Sequence, residues 1–241
     1  MTDCERQTAC ALAVFESLTL LYSSEVNKSF FDKHPHIKDI LNFALFITLV
    51  IIGTIIINTF VFRSFSVLGP SMETTFFTGD RLIVNRLPIS LAGFQNKEYI
   101  PTRGDIIVFK NPRFVEGEPD EYIVKRVIAF QGERVTVTNG VLSVYNSQNP
   151  TGFQPDKTPS HIGMPGKFTS GEVDMTVPEG TVFVAGDHRL GSCSYDSRSG
   201  LGTVPYFDIV GPVALRIWPL PGVGADRSLT SNNRNTTCET S

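Results

Sequence analysis

Histidine, cysteine and tryptophan are scarce in this chain of 241 residues, which has four, four and one of them. The cysteines show neither the spacing of a metal site nor the density of a disulfide framework. We expect four unpaired thiols, with a Cys193–Cys238 bridge as the alternative. Basic residues form no block, and 21 Lys and Arg stand against 24 Asp and Glu, a net charge of −3. That balance argues against a nucleic-acid-binding surface.

Charged residues are absent from one long apolar stretch, which runs from Ile40 to Phe62. As a helix, this stretch would extend roughly 34 Å, enough to cross the hydrocarbon core of a bilayer with some tilt. A cleaved signal peptide would have a shorter apolar core nearer the N-terminus. A buried helix of a soluble protein rarely runs so long without a charge. The sequence therefore predicts a transmembrane anchor.

The charges on either side of this stretch predict its orientation. Lys28, Lys33 and Lys38 precede it closely, whereas only Arg63 follows it closely. An excess of Lys and Arg marks the cytoplasmic side, so we expect a single-pass protein of the cell membrane with a cytoplasmic N-terminus. The earlier segment Cys10–Tyr22 is apolar but short and contains a glutamate, so we favour an interfacial helix over a second span.

Beyond the anchor, apolar residues alternate with period two in several short segments, as in β-strands with one buried face. Asn139-Gly140 joins two of them and has the sequence of a type I′ hairpin turn. No amphipathic helix is indicated beyond residue 63. The predicted fold class is therefore mainly β, an N-terminal transmembrane helix followed by an extracytoplasmic antiparallel β domain. The alternating segments are Arg81–Asn85, Asp105–Lys110, Tyr122–Phe130, Arg134–Thr138 and Thr181–Ala185.

Composition predicts the domain organisation. Residues 1–39 form a cytoplasmic segment, 40–62 the transmembrane anchor and 63–221 the extracytoplasmic domain. Within that domain, the region from about 146 to 176 is rich in Gly, Pro, Ser and Thr, which predicts a smaller loop-rich lobe. Residues 222–241 are polar, and we expect them to be disordered.

Ser71 follows a Gly-Pro turn only eight residues after Arg63, in a position where a hydroxyl is easily presented. A serine nucleophile needs a base within hydrogen-bonding reach. His188 is one candidate, although the sequence offers it no orienting partner apart from Asp187. Lys125 lies in the middle of a predicted strand and is the candidate that we favour.

A lysine can act as a general base only in its neutral form. At the unperturbed lysine pKa of about 10.4, only roughly 0.04% of the amines would be neutral at pH 7. Burial among aliphatic side chains disfavours the ammonium and can lower a lysine pKa by a few pH units. The alternative for a lysine on a strand is a solvated side chain with no such role.

Five short motifs follow the apolar stretch in order and extend over most of the remaining chain. Each alone is moderately specific, but together they resemble the motifs of bacterial type I signal peptidases, which are membrane-anchored Ser/Lys endopeptidases. The motifs are Gly69-Pro-Ser-Met72, Gly79-Asp80, Arg103–Lys110, Lys125-Arg126-Val127-Ile128 with Gly132, and Gly186–Arg189 with Asp196-Ser-Arg198.

The resemblance implies roles for individual residues. Ser71 would be the nucleophile and Lys125 its general base, with neither a metal nor an organic cofactor. Arg126 and Asp187 would support the site, and Asp196 and Arg198 would form a structural ion pair.

The resemblance also implies a serine hydroxyl that orients the lysine amine. The last motif is two residues longer here than the usual pattern between Gly-Asp and Asp-Ser-Arg, so Ser192 and Ser194 are both candidates. We lean to Ser194, counting back from Asp196.

Three departures from the family pattern surround the nucleophile. Thr74 replaces a usual proline, and Phe76 replaces a leucine that often lines the substrate pocket. Gly69 lies where some members carry a serine hydroxyl in the oxyanion hole. Because Pro70 has no N–H, the hole would depend on the Ser71 amide and on neighbouring backbone.

The function implied is removal of signal peptides from exported precursors, with a cut after small residues at substrate positions −1 and −3. Expected partners are signal-peptide-bearing precursors and the lipid bilayer, and no nucleic acid. Met72, Phe76 and Val67 are our predicted pocket residues. Two alternatives are a self-cleaving Ser/Lys protease, which the apolar span argues against, and an inactive membrane-anchored β domain that binds exported or cell-envelope peptides.

Overall fold

The fold is described from a computed structural model, which covers residues 35–117, 121–157, 165 and 167–218. The chain divides into two units, residues 1–55 and 56–241. The predicted interfacial helix at Cys10–Tyr22 and the predicted disordered tail at 222–241 lie outside the described residues.

The apolar stretch is helical. Helix α1 (Pro35–Ile56) is followed without a break by a π-helical turn, Ile57–Val61. Residues Asp39–Val61 have a mean hydropathy of 2.7 and are long and apolar enough to cross a membrane. The helical backbone ends where an extended strand begins at Phe62. The predicted apolar stretch Ile40–Phe62 agrees with the membrane-length span Asp39–Val61 to within one residue at each end, although the helix itself begins at Pro35.

Among the described residues, the second unit contains two antiparallel sheets. Its strands are β1 (Phe62–Ser66), β2 (Arg81–Asn85), β3 (Ile106–Lys110), β4 (Tyr122–Phe130), β5 (Arg134–Thr138), β6 (Val141–Tyr145), β7 (Val173–Thr176), β8 (Thr181–Ala185), β9 (Val204–Pro205) and β10 (Ile209–Trp218). The larger sheet has the order β1-β2-β10-β3-β4-β8-β9, and the smaller has the order β6-β5-β7. The predicted mainly β fold class with one N-terminal apolar helix is confirmed.

The hairpin between β5 and β6 forms for the reason that the sequence indicates. Asn139 and Gly140 have φ angles of 52° and 78°, and a type I′ turn requires a positive φ at both central residues. The turn sets the register, which pairs Thr138 with Val141 and Val135 with Val144. As a result, Val135 and Val144 both face the buried side of the smaller sheet.

In the part of the chain that the structure describes, the alternating apolar residues form three core clusters. One of them underlies the segment between β1 and β2, where Ser71 lies. There the predicted pocket residues Met72 and Phe76 are 0% and 2% exposed, and they pack with Leu82 and Val84 from β2. This cluster fixes the serine segment to the larger sheet.

A short helix, α2 (Leu87–Phe94), follows β2. It is largely apolar rather than amphipathic, so it does not contradict the expectation of no amphipathic helix beyond residue 63. The sequence LPISLAGF has no charged residue, and helices of this length show little periodicity to recognise. Its proline falls in the first turn, where a missing N–H is tolerated. Ser90 of α2 donates a hydrogen bond to the carbonyl of Phe60 at 3.0 Å.

The region predicted as a loop-rich lobe is only partly described, because residues 158–164 and 166 are not. Pro155–Lys157 forms a single 3-10 turn, and Val173–Thr176 is a strand of the smaller sheet. The bounds of the lobe stay a prediction.

Candidate active site

The segment that carries Ser71 is a closed loop between two neighbouring strands. Val67 donates from its amide to the carbonyl of Asp80 at 2.8 Å, and Gly79 donates to the carbonyl of Val67 at 2.9 Å. Inside the loop, residues 71–75 form a turn in which Phe76 donates to the carbonyl of Met72 at 2.8 Å. Since Met72 and Phe76 are buried, Ser71 is held at the edge of the core.

Lys125 lies in the middle of β4, where its backbone pairs with Ile107 of β3. Its side chain is 3% exposed. The Nζ atom donates to Oγ of Ser71 at 2.7 Å and to the carbonyl of Val124 at 3.0 Å. The two residues are 54 positions apart in the sequence, so it is the fold that brings them together. A separation of 2.7 Å is within the reach required for proton transfer between a nucleophile and a base.

A cavity of about 300 Å³ opens beside this pair. Its walls come from the end of β1 with the residues after it, from β4, and from the loop that follows β8. Val67, Leu68 and Ile123 supply apolar wall surface next to Ser71 and Lys125. The three predicted pocket residues share one core cluster, and of the three only Val67 lines the cavity.

Arg126, the residue after Lys125, forms a buried ion pair with Asp187. Nε of Arg126 donates to Oδ1 of Asp187 at 2.7 Å, and an Nη atom donates to Oδ2 at 2.6 Å. Their side chains are 3% and 0% exposed. The hydroxyl of Thr75 donates to the same Oδ2 at 2.5 Å. The carboxylate therefore ties the strand of Lys125 to the loop of Ser71.

Asp196 and Arg198 form a second ion pair, at 2.7 Å. Burial alone would raise the pKa of Asp196, but hydrogen bonds from Arg198, Ser194 and the Gly186 amide, together with the Arg198 charge, lower it overall. Asp196 therefore remains an anion, and the hydrogen bonds that it accepts hold the surrounding loop in place.

The two serine candidates for orienting the lysine differ in burial. Ser194 is 4% exposed, and its hydroxyl donates to Oδ2 of Asp196 at 2.6 Å. Ser192 is exposed. Between them, Cys193 lines the cavity and is disulfide-bonded, so the expectation of four unpaired thiols is wrong for this residue. The other three cysteines, Cys238 included, lie outside the described residues.

Gly186 packs closely against the backbone of Ser71. A Cβ atom placed on it would lie 2.3 Å from the backbone carbonyl oxygen of Ser71 and 2.2 Å from Oγ of Ser194. Real Cβ atoms essentially never come within 3.0 Å of such neighbours, so this position requires glycine. His188, two residues later, donates from its amide to the same Ser71 oxygen at 3.1 Å.

A family model for signal peptidases, peptidase S26, matches residues 40–218 of the chain. The chain belongs to the signal peptidase family. It is 31% identical over 195 residues to signal peptidase I P of Bacillus subtilis subsp. natto, an alignment that covers 79% of this chain and 96% of that protein. It is 35% identical to signal peptidase I of Bacillus caldolyticus, over 72% of this chain and 88% of that one.

A solved structure of a signal peptidase I from Enterococcus faecalis V583 is also similar. The sequence identity is 28%, with a TM-score of 0.34 and coverage of 47% of this chain and 96% of the other.

The backbone conformation at Thr74 is incompatible with the proline that is usual at this position in the signal peptidase motif. Thr74 has φ = 68°, which a proline cannot adopt because its ring fixes φ near −65°. A β-branched residue is uncommon in this left-handed region. The turn after Ser71 therefore follows a path that the usual proline of the signal peptidase motif would not allow.

Sequence reasoning did not find two residues that hold this signal peptidase site. Thr75 binds Asp187, and the motif around Ser71 predicts no role for it. Arg189 is 0% exposed in its side chain, and it donates to Oδ1 and Oδ2 of Asp156 at 2.9 and 2.8 Å. Arg189 is visible as the last residue of the Gly-Asp-His-Arg motif. Its partner lies 33 residues away in the sequence, and no local pattern predicts that pairing.

Proposed function

We propose that this protein is a membrane-anchored serine endopeptidase that removes signal peptides from exported precursor proteins. Membership of the signal peptidase family supports the reaction class. The observation that carries the assignment of residues is the 2.7 Å hydrogen bond between Nζ of Lys125 and Oγ of Ser71. In the proposal, Ser71 is the nucleophile and Lys125 is its general base.

The reaction would begin with a neutral Lys125 amine. Its nitrogen takes the hydroxyl proton of Ser71 while Oγ attacks the carbonyl carbon of the scissile peptide bond. The tetrahedral intermediate carries its negative charge on the former carbonyl oxygen, which the Ser71 amide would stabilise. The Lys125 ammonium then protonates the leaving amine, and an ester between Ser71 and the signal peptide remains. Water, deprotonated by the same amine, hydrolyses this ester.

The burial of Lys125 suits this role for a general reason. Removing an amine from water disfavours its charged form, and a base must be uncharged to accept a proton. The backbone carbonyl of Val124 accepts a hydrogen bond from Nζ at 3.0 Å, which limits the directions in which the amine can point. Arg126 is adjacent in sequence, but its charge is compensated by Asp187 on the other side of the strand.

The supporting residues would act through position. Asp187 holds Arg126 and Thr75, and so links β4 to the serine loop. Asp196 with Arg198 would fix the loop that carries Ser194.

The cavity next to the dyad is the proposed binding site for the end of the signal peptide. Apolar surface from Val67, Leu68 and Ile123 suits small apolar side chains at substrate positions −1 and −3. One extra methylene in such a pocket changes the free energy of binding by about 1–3 kcal/mol. We therefore expect a preference for alanine over valine at −1, measurable as a ratio of kcat/KM for two precursors that differ there.

The apolar helix is proposed to anchor the enzyme with its N-terminus in the cytoplasm and the β domain outside. The cleavage site of an exported precursor emerges next to the bilayer, and Ser71 follows the helical span by only ten residues. Protease added to the outer face of cells should therefore digest residues beyond Arg63. Complete protection of the β domain in sealed cells would contradict this orientation.

The decisive experiment compares Ser71→Ala and Lys125→Ala with the parent enzyme, each in detergent with a signal-bearing precursor. Both variants should lose cleavage while keeping the parent circular dichroism spectrum. Because the two groups act as one unit, the double variant should be no slower than either single one. Lys110→Ala is the matched control, since Lys110 ends the neighbouring strand and is exposed; it should retain the parent rate. Full activity in Lys125→Ala would refute the dyad.

The departures around Ser71 support a second candidate, an inactive domain that binds exported or cell-envelope peptides. Thr74 and Gly69 alter the nucleophile segment relative to the family pattern. This candidate predicts that parent and Ser71→Ala bind a signal peptide equally well and that neither cuts it. One clean cut after a small residue by the parent alone would exclude it.

A further inference from the structure

His188 contacts the backbone on both sides of Ser71. Its amide donates to the carbonyl of Ser71 at 3.1 Å. Its ring nitrogen Nδ1 lies 3.2 Å from the carbonyl oxygen of Pro70. A carbonyl oxygen can only accept, so the proton of this hydrogen bond is on Nδ1. One residue thus binds the peptide unit before the nucleophile and the peptide unit after it.

The first of these contacts bears on the Ser71 amide. The carbonyl of Pro70 and the N–H of Ser71 belong to the same peptide unit, which is planar. Fixing the oxygen of this unit therefore fixes the direction of the N–H at its other end. A donor on the oxygen also polarises the unit, which makes the N–H a stronger donor.

Some family members have a serine two positions before the nucleophile, whose hydroxyl is a second donor to the oxyanion. In this chain the oxyanion hole depends more strongly on the Ser71 amide. Gly69 has no side chain there, and Pro70 has no N–H. Among the described residues, no group accepts a hydrogen bond from the Ser71 amide. It is therefore available to a substrate carbonyl oxygen, and its direction decides how well it stabilises an oxyanion.

We infer that His188 is a positioning residue for the oxyanion hole, acting through its Nδ1 hydrogen bond to Pro70. The inference rests on the proposed function, in which Ser71 is the nucleophile. The Glu73 amide also donates to the Pro70 oxygen, at 3.0 Å. The His188 ring is thus one of two groups that hold this peptide unit, and its loss should weaken the hole rather than abolish it.

A different role for His188 would be an ion pair with Glu73, whose Oε2 lies 3.9 Å from the same Nδ1. Both side chains are partly exposed, at 26% and 35%. The two roles predict different effects of changing Glu73. If the ion pair is the important contact, removing the charge of Glu73 should lower activity as much as removing the His188 ring. If the Pro70 carbonyl is the important partner, removing that charge should leave activity unchanged.

The test uses the full-length enzyme in detergent with a signal-bearing precursor and three substitutions. His188→Leu removes the ring donor, and His188→Asn keeps a side-chain N–H at a similar distance from the backbone. Glu73→Gln is the matched control for the ion pair. We expect His188→Leu to lower kcat about tenfold with KM within about twofold, less than the roughly 10²–10³-fold loss for removing an oxyanion donor outright. His188→Asn should regain most of the rate, and Glu73→Gln should match the parent.

A second readout addresses the oxyanion directly. A peptide aldehyde with a C-terminal alanine forms a tetrahedral adduct with the serine, whereas the corresponding alcohol cannot. His188→Leu should weaken inhibition by the aldehyde in proportion to its loss of kcat and leave inhibition by the alcohol unchanged. If this variant does not fold, as judged by circular dichroism, His188→Ala takes its place.

The outcomes separate this inference from the proposed function. If the parent cleaves, Ser71→Ala does not, and His188→Leu is as fast as the parent, then the positioning role is refuted while the dyad stands. Equal losses in His188→Leu, His188→Asn and Glu73→Gln would assign His188 to the ion pair and also refute the inference. A parent that cleaves nothing refutes the proposed function itself.

Discussion

Replacing Asp187 with alanine should destabilise the β domain strongly. Its carboxylate is fully buried and accepts hydrogen bonds from two nitrogens of Arg126 and from Thr75. The substitution leaves the Arg126 guanidinium, which is 3% exposed, without its counter-charge. Removing one partner of a buried ion pair costs about 3–5 kcal/mol in the free energy of unfolding. For a domain of this size, that loss corresponds to a decrease in Tm of about 6–20 °C.

Thermal unfolding of the full-length protein in detergent, followed by circular dichroism, measures this effect. The matched control is Asp174→Ala, which breaks the Arg134–Asp174 pair. That pair has a similar geometry, at 2.6 Å, but its side chains are 54% and 59% exposed. Solvent screens such a pair, so Tm should hardly change.

A second comparison separates charge from packing. The double variant Arg126→Met with Asp187→Leu removes both charges and keeps apolar volume, so it should recover part of the lost stability. Equal decreases in Tm for Asp187→Ala and Asp174→Ala would refute the reasoning, because burial would then have no effect on the energy of the pair.

Two further predictions concern pH. Cleavage should rise with pH because the neutral fraction of Lys125 grows; Ile123→Asp places an anion on the cavity wall, stabilises the ammonium and should move the rising limb of kcat/KM to higher pH. A limb that the substitution leaves in place contradicts Lys125 as the base. The pKa of Asp196 is lowered in the folded protein. Its ionised carboxylate therefore stabilises the fold fully at pH values above the ordinary Asp pKa of about 3.9, and this stabilisation is lost as the pH falls through the lowered pKa. Arg198→Gln should therefore make acid unfolding, followed by circular dichroism, begin at a higher pH than in the parent.

Strands with one buried face could be predicted from the sequence because alternation leaves a local signal. Arg81–Asn85 and Thr181–Ala185 are strands at the predicted bounds. β10 carried no such signal, since its Gly211-Pro212 pair interrupts the apolar residues. In the structure, the register of β10 against β3 shifts between Ile209 and Gly211, and Gly211 and Pro212 then pair with Val108 and Ile107. Such pairing depends on the neighbouring strand and leaves no local sequence pattern.

Part of the candidate site could likewise be predicted from the sequence, and part could not. Ser71 and Lys125 could be proposed together because each lies in a motif with a known order along the chain. The pocket could not, because a motif does not say which side of a loop a side chain occupies. Met72 and Phe76 follow Ser71 closely in sequence, yet both lie in the core away from the cavity lining. Val67 belongs to the same core cluster and also lines the cavity.

The close approach of Gly186 to the Ser71 carbonyl has a consequence for engineering altered cleavage preferences. A side chain at position 186 would meet the backbone of Ser71, which cannot move aside without displacing that residue. Libraries that include this position would consist mainly of inactive members. Ile123 and Tyr195 also line the cavity, and Ile123 is partly buried whereas Tyr195 is exposed. Substitutions at these two positions change the shape of the cavity without a clash against backbone. Randomising these two positions around an invariant Gly186 is the smaller and more productive search.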